Sequence, residues 1–457
     1  MDTVVGMLRR IGTAGCLAIA LTACGGGATA GASQTGGAPP AATGATTGTP
    51  TGAGAAASGP ASQAAPTPAQ SSRQSPKDPV RAALAGMSLE EKVGQLFMPV
   101  LYGTSADTVS GENQARYGAQ TPAKVVAKYH LGGVILFPQN IKSAAQVVGL
   151  TNGLQRAAGD VPLLVGTDQE NGLVSRMSAV MTAFPGASQI GATNDPALAR
   201  AVARATGEEL RALGVNLDFA PVADVNIDPR NPVIGKRAYG DDPALVSKMV
   251  GAAVKGFADA KVAATAKHFP GHGDTRIDSH SGLPVIKHTK AQWERLDAPP
   301  FRAAIGAGVD AVMSAHIVFP KLDPSGDPAT LSKPILTGLL RQKLGFKGVI
   351  STDALNMEGV RKKYSDGEVA VRAVLAGADL LLMPNDFGKA YQSVLGAVRS
   401  GRISQQRLDE SVTRLLTLKQ AKGLLDRRPV ASAEEAARVL RSAEHRRLAA
   451  RVVSRAG

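Results

Sequence analysis

The side chains best suited to chemistry crowd into one stretch. Residues 267–280 read Lys267-His-Phe-Pro-Gly-His-Gly-Asp-Thr-Arg-Ile-Asp278-Ser-His280, and His288 follows shortly after. Four of the chain's 7 histidines (His268, His272, His280 and His288) fall there. Imidazoles are common metal ligands. However, the chain has no His-Glu-x-x-His pair, and the cluster lies in a Gly/Pro-rich loop rather than on one helix face. No metal is expected. Acid–base work fits better, because Asp278 and His280 are two residues apart and a loop can bring the carboxylate onto the imidazole. That pairing orients the ring and favours its protonated form. The same pair would also serve as a simple loop-stapling hydrogen bond. Other polar residues stand at the ends of apolar runs: Asp168 in Gly166-Thr-Asp-Gln-Glu170, Asp218 and Asp224 around the fourth run, His316, and Asp353 in Val349-Ile-Ser-Thr-Asp353. Each alone could cap the next helix. Together they suggest one functional rim.

The runs that would position them are short, apolar and regularly spaced. Eight are expected as strands: 96–100, 133–137, 163–168, 216–221, 262–268, 311–317, 348–353 and 378–384. Continuous apolar runs suit parallel strands buried on both faces. Helical patterns separate them at 144–158, 196–213, 243–260, 333–343, 367–376 and 404–422. Ser88-Leu-Glu-Glu91 reads as a capping box opening an earlier helix. The expected fold class is α/β, a single (β/α)8 TIM-like barrel, in which chemistry sits at the C-terminal ends of the strands. An open doubly wound sheet is the alternative, but no Gly-rich phosphate loop follows the first strand.

These motifs carry a resemblance. Lys267-His-Phe-Pro-Gly-His-Gly-Asp-Thr-x-x-Asp278-Ser-His280 resembles the signature of bacterial β-N-acetylglucosaminidases of glycoside hydrolase family 3. Val349-Ile-Ser-Thr-Asp353-Ala-Leu-x-Met357 is similar to that family's nucleophile motif. Thr167-Asp168-Gln-Glu170 and Gly235-Lys-Arg237-x-Tyr-Gly240 match two further segments in the same order. The resemblance runs over about 77–422. It implies Asp353 as nucleophile, His280 as general acid and then base, and Asp278 as the group that orients His280. It implies Asp168, Arg237, Lys267 and His268 as sugar-binding residues, with His316 and Met357 lining the same pocket. His272, between two glycines, is expected to shape the loop. No cofactor is implied. An unperturbed histidine titrates near ~6.5, which suits proton donation and recovery near neutrality. One departure is that Leu173 stands where the family often has arginine, although Arg176 remains. No second α/β domain is expected after the barrel, which favours the His–Asp subfamily.

The ends of the chain bear on location. A short basic start, an apolar core and Leu21-Thr22-Ala23-Cys24 resemble a bacterial lipobox, with lipidation at Cys24. The expected organisation is a lipoprotein signal peptide at 1–23, a disordered Gly/Ala/Ser/Thr/Pro tether at 24–76, the barrel at 77–425 and a basic helical tail at 426–457. From Gly25 to Ser75 no Leu, Ile, Val, Met or aromatic residue occurs, so the segment has little apolar surface to offset ordering. Both cysteines, Cys16 and Cys24, precede the folded part, which excludes a disulfide framework or a cysteine zinc site there. The net charge of +14 is dispersed and lacks interleaved aromatics, so nucleic acid is not an expected partner. The expected partners are a carbohydrate substrate and the outer face of the cell membrane. Three functions remain open: a lipid-anchored exo-β-N-acetylglucosaminidase acting on peptidoglycan fragments, a related β-glucosidase or glycoside phosphorylase, and a non-catalytic wall-binding lipoprotein.

Overall fold

The computed structural model describes residues 78–279, 282–426 and 430–457. The expected signal peptide, lipidation site and tether, together with His280, lie outside the described residues. Eight parallel strands form the centre: β1 (Phe97–Met98), β2 (Gly133–Ile135), β3 (Leu164–Thr167), β4 (Leu217–Asp218), β5 (Ala263–Phe269), β6 (Ala311–Ser314), β7 (Val349–Ser351) and β8 (Leu381–Leu382). β2 to β7 form one curled sheet in chain order. β8 pairs with β1, and single bridges join Val100 to Ile135 and Ser351 to Leu380. The pairing therefore runs round a TIM-like (β/α) barrel, and the open doubly wound sheet is ruled out.

All eight expected strands are present; β5 is as long as its apolar run, shifted by one residue, and the other seven are shorter than theirs. Every residue of all eight is buried, as both-face packing requires. Gly166 shows how tightly the interior fills: a Cβ there would meet Phe219 at 3.2 Å and the Met98 methyl at 3.3 Å. The Ser88 capping box forms as expected. Asp195 and Asp242 cap the long helices Pro196–Ala212 and Pro243–Asp259, each with proline in the first turn. The expected helix at 333–343 is instead wound as a π-helix over Pro334–Lys343.

The C-terminal segment forms two helices, Ala433–Val439 and Ala443–Ala456, packed on the barrel's outer helices. Glu209, fully buried, collects the Arg441 N–H at 3.0 Å, His445 Nδ1 at 2.7 Å and the Thr182 hydroxyl at 2.6 Å. Asn152 makes a reciprocal pair of bonds to the backbone of Ala431.

A buried charge at Lys419 has no ionised partner among the described residues. Lys419 is 0% exposed, and its Nζ donates to Gln95 Oε1 at 2.7 Å. Burial pushes its ammonium down to about 7. Its folded value lies below the unfolded one, so the charge costs stability at and below pH 7, and that cost fades as pH rises toward 10.5. Lys419→Met, measured by urea unfolding, should therefore gain stability relative to wild type at pH 6 by about 1–3 kcal/mol. The difference should shrink by pH 10. A pH-independent difference would contradict this reading.

Candidate active site

The C-terminal ends of the strands surround a cavity of about 310 Å³. It is at the lower end of small-molecule sites, which span roughly 300–1,000 Å³. A larger cleft of about 600 Å³ opens beside Asn216, Lys261 and Lys422. It lies at the opposite, N-terminal ends of the strands and holds no histidine. The chemistry therefore belongs to the smaller cavity.

One wall is a buried ion cluster. Asp168 follows β3, and the chain then turns into a short antiparallel hairpin (Gln169–Asn171 with Val174–Ser175) that projects Glu170 inward. Lys267, on β5, reaches Asp168 at 2.8 Å and Glu170 at 2.7 Å. Arg237, on the short 3-10 turn Gly235–Arg237, holds Glu170 with two bonds of 2.8 and 2.7 Å. Burial alone would raise the Glu170 carboxyl, but Lys267 and Arg237 outweigh it and hold it down at about 2. Burial likewise disfavours the Lys267 ammonium, yet Asp168 and Glu170 keep it above its usual value. Beneath them Asp218 takes the Gln169 N–H at 2.9 Å, and burial pushes its carboxyl up to about 8. Asp218 is therefore largely uncharged at neutrality, while Asp168 and Glu170 face the lysine.

The Glu170 contribution has a definite pH signature. Its folded value lies below the unfolded 4.5, so the stability it adds is present above pH 4.5 and lost as pH falls toward 2. Glu170→Gln should reduce stability at pH 6 by about 3 kcal/mol. The penalty should fade below pH 3, as followed by chemical unfolding across that range.

The second wall comes from the β5 loop. Fully buried Asp224 accepts from His268 Nδ1 at 2.7 Å and from the backbone N–H groups of His268 and His272 at 3.1 and 2.7 Å. Arg237 Nη2 lies 3.4 Å from His268 Nε2. Because a carboxylate only accepts, Nδ1 carries a proton toward Asp224. The Lys267–His268 peptide is cis. His272 lines the cavity but is internally engaged, with Thr275 Oγ1 at 2.9 Å and Ser279 Oγ at 3.0 Å. Burial and the neighbouring His268 push it down to about 4, so it is neutral and braces the loop.

Asp353, after β7, lies on the cavity floor, with Met357 beside it. Its Oδ1 accepts the Ala354 N–H at 2.7 Å. Burial would raise its carboxyl, but His316, His268, that N–H and Lys267 together hold it below the usual range. His316 is not in the cavity lining. It is fully buried, with Nε2 3.0 Å from the Ala354 carbonyl, so it stands behind Asp353. The structure thus brings Asp168, Arg237, Lys267, His268, Asp353 and Met357 to one cavity. Asp278 lies on the described part of the β5 loop, outside the cavity lining. Arg176 also reaches the cavity, over the Phe137 ring at 5.4 Å. Leu173 points to solvent at 73% exposure. Two residues were given no role from sequence, Glu170 and Asp224. Both stood in motifs noticed there, but their partners lie 67 and 44 positions away. Among the described residues no group of three or more His, Cys, Asp or Glu side chains is arranged to hold a metal ion.

Residues 88–418 match the family model described as the glycosyl hydrolase family 3 N terminal domain. This chain belongs to glycoside hydrolase family 3. It is 36% identical over 370 residues to beta-hexosaminidase A of Pseudoalteromonas piscicida, covering 74% of this chain and 62% of that protein. It is 32% identical over 375 residues to the beta-N-acetylglucosaminidase/beta-glucosidase of Cellulomonas fimi, covering 80% of this chain and 63% of that protein. The chain thus spans less than two thirds of the length of either. Among solved structures, the family 3 beta-N-acetylglucosaminidase from Paenibacillus sp. str. FPU-7 superposes with a TM-score of 0.74 at 43% identity, covering 81% of this chain and 69% of that one.

Proposed function

We propose that this family 3 chain is a retaining exo-β-N-acetylglucosaminidase that removes terminal β-linked GlcNAc from peptidoglycan fragments. The observation that carries the reading is an ionised Asp353 on the floor of a sugar-sized cavity, facing the Asp168–Lys267–Glu170–Arg237 cluster. The names of the family 3 relatives support the sugar.

In this reading Asp168, Lys267, Arg237 and His268 bind the hydroxyls of the terminal sugar. Charged donors and acceptors orient a ring tightly and penalise one lacking a matching hydroxyl. The sugar's anomeric carbon then sits over Asp353. The carboxylate attacks it, the bond to the leaving oxygen breaks, and a glycosyl-aspartate forms. His280, oriented by Asp278, gives its proton to the leaving oxygen. The same imidazole then takes a proton from water, which attacks the anomeric carbon and frees Asp353. Arg176 offers a cation at the cavity wall suited to a carboxylate-bearing aglycone. Anchorage through lipid on Cys24 would hold the enzyme at the outer face of the membrane, near such fragments.

The test is release of p-nitrophenol by the full chain from the β-N-acetylglucosaminide and the β-glucoside, each with and without phosphate. Turnover of the acetamido sugar alone, with free sugar as product in phosphate, is the expected result. Preferred turnover of the glucoside, or a sugar phosphate as product, would replace this specificity with the glucosidase or phosphorylase reading. Inactivity on both sugars and on a disaccharide-peptide from peptidoglycan would leave the wall-binding reading.

A further inference from the structure

His288 is not part of the cavity, yet both of its ring nitrogens are committed. Nδ1 lies 2.7 Å from Asp297 Oδ2 and Nε2 lies 3.0 Å from Asp274 Oδ2. A carboxylate only accepts, so both contacts are satisfied together when the ring carries both protons. The two carboxylates belong to different parts of the fold. Asp297, 3% exposed, joins the helices Lys290–Leu296 and Ala298–Gly306. Asp274 sits in the β5 loop, between His272 and Ser279, which both line the cavity.

The loop is firmly held at its start. A Cβ on Gly271 would lie 2.6 Å from Asp297 Oδ1, and one on Gly273 would lie 1.5 Å from the Val225 carbonyl. Further along it rests against the segment that follows Asp353, since a Cβ on Gly359 would meet the Ser279 carbonyl at 2.9 Å. Between these points Arg276 reaches Asp228, but through an exposed side chain. His288 makes a buried ionic tie on that stretch.

We infer that His288 is a positioning residue: its doubly protonated ring bridges Asp297 and Asp274 and thereby fixes the loop segment that presents Ser279 to the cavity. The inference rests on the proposed hydrolase reading, in which the residue after Ser279 donates the proton. The groups facing His288 are Asp297 from the helix junction and Asp274 from the loop, and Asp224 adds its field at Asp297. Bonding to Asp297 and Asp274 raises the imidazole above its ordinary value, although burial opposes this. A raised value means the ring keeps its second proton at lower pH and loses it, and the tie with it, as pH rises through it; on the acid side the tie also needs Asp297, whose carboxyl burial pushes up to about 6. A deprotonated ring nitrogen would then face a carboxylate oxygen across about 3 Å, and Asp274 would be released.

The experiment uses the full chain and two aryl β-N-acetylglucosaminides, one with a poor leaving group (p-methoxyphenol) and one with an activated one (2,4-dinitrophenol). Proton donation matters for the first and little for the second. For His288→Gln the expected result is a loss in kcat of about tenfold or more on the poor leaving group, with KM little changed and the activated substrate nearly unaffected. Asp274→Asn keeps an acceptor for Nε2 but removes its charge. It should retain activity at pH 6 while moving the alkaline limb of kcat/KM to lower pH. A purely structural role would lower both substrates equally and leave the limb in place, and that result would overturn the inference. So would wild-type behaviour of both variants. If His288→Gln does not fold, the alkaline limb of Asp274→Asn decides alone. Asp353→Ala runs alongside: if it stays active, the hydrolase reading itself has failed; if it is dead while the His288 and Asp274 variants behave as wild type, only the positioning role has.

Discussion

Asp353→Ala is expected to lower kcat/KM on an aryl β-N-acetylglucosaminide by at least about 10⁴-fold, or about 5 kcal/mol of transition-state stabilisation. The expectation follows from geometry and charge together. Asp353 is the carboxylate on the cavity floor, and His316, His268, the Ala354 N–H and Lys267 keep it ionised despite burial. Among the described residues no other carboxylate lining the cavity is free to take its place: Asp168 is tied to Lys267, and Glu170 is shared between Lys267 and Arg237. Asp353→Asn keeps the shape and the Ala354 contact, so an equally large loss there would locate the effect in chemistry rather than folding. The cluster is bonded within itself, so the melting temperatures of both variants should stay within a few degrees of wild type. A variant retaining a tenth of wild-type activity would show that the nucleophile lies elsewhere.

Lys267→Met should have the second-largest effect, and on two readouts at once. Lys267 is 3% exposed and bonds two carboxylates, one of them Glu170 at 5% exposure. Removing one member of a buried ion cluster costs about 3–5 kcal/mol, because the remaining charges keep their desolvation penalty. Unfolding in urea should show that loss near neutral pH. At lower pH the gap should narrow, because Glu170 loses part of what depresses its carboxyl and takes up a proton more readily. Activity should fall by roughly 10²-fold or more, since Asp168 loses the partner that aims it at the sugar. Unchanged stability alongside lost activity would mean that Lys267 acts on the substrate alone.

The eight strands were legible in the sequence because each is buried on both faces and reads as a short apolar run. Their ends were not. The fourth run extends through Ala220 and Pro221, but regular pairing stops at Asp218, where the chain turns into a cis proline. The helices Lys290–Leu296 and Ala298–Gly306 were not among the expected elements; Pro299 and Pro300 occupy the first turn of the second, where proline is tolerated. The candidate site was legible as a set of residue types at strand ends, and the structure gathers most of them round one cavity. What spacing could not give was pairing across the barrel. Asp224 as the holder of His268, and Glu170 as the shared partner of Lys267 and Arg237, depend on strand order rather than on neighbours in the chain. His316 shows the same limit: the resemblance implied a place in the pocket lining, but the ring stands behind Asp353, against the Ala354 carbonyl and the Thr330 hydroxyl.

The most direct test of the account is to trap the covalent intermediate. The full chain would be incubated with a 5-fluoro analogue of β-N-acetylglucosaminyl fluoride, whose fluorine slows breakdown of the glycosyl-enzyme. It would then be digested and the peptides read by tandem mass spectrometry. The account predicts one fluorinated acetamidosugar, attached to the peptide carrying Asp353 and released when the inhibitor is removed. Attachment to Asp168, Glu170 or any other residue, or no adduct while the aryl glycoside still turns over, would contradict it.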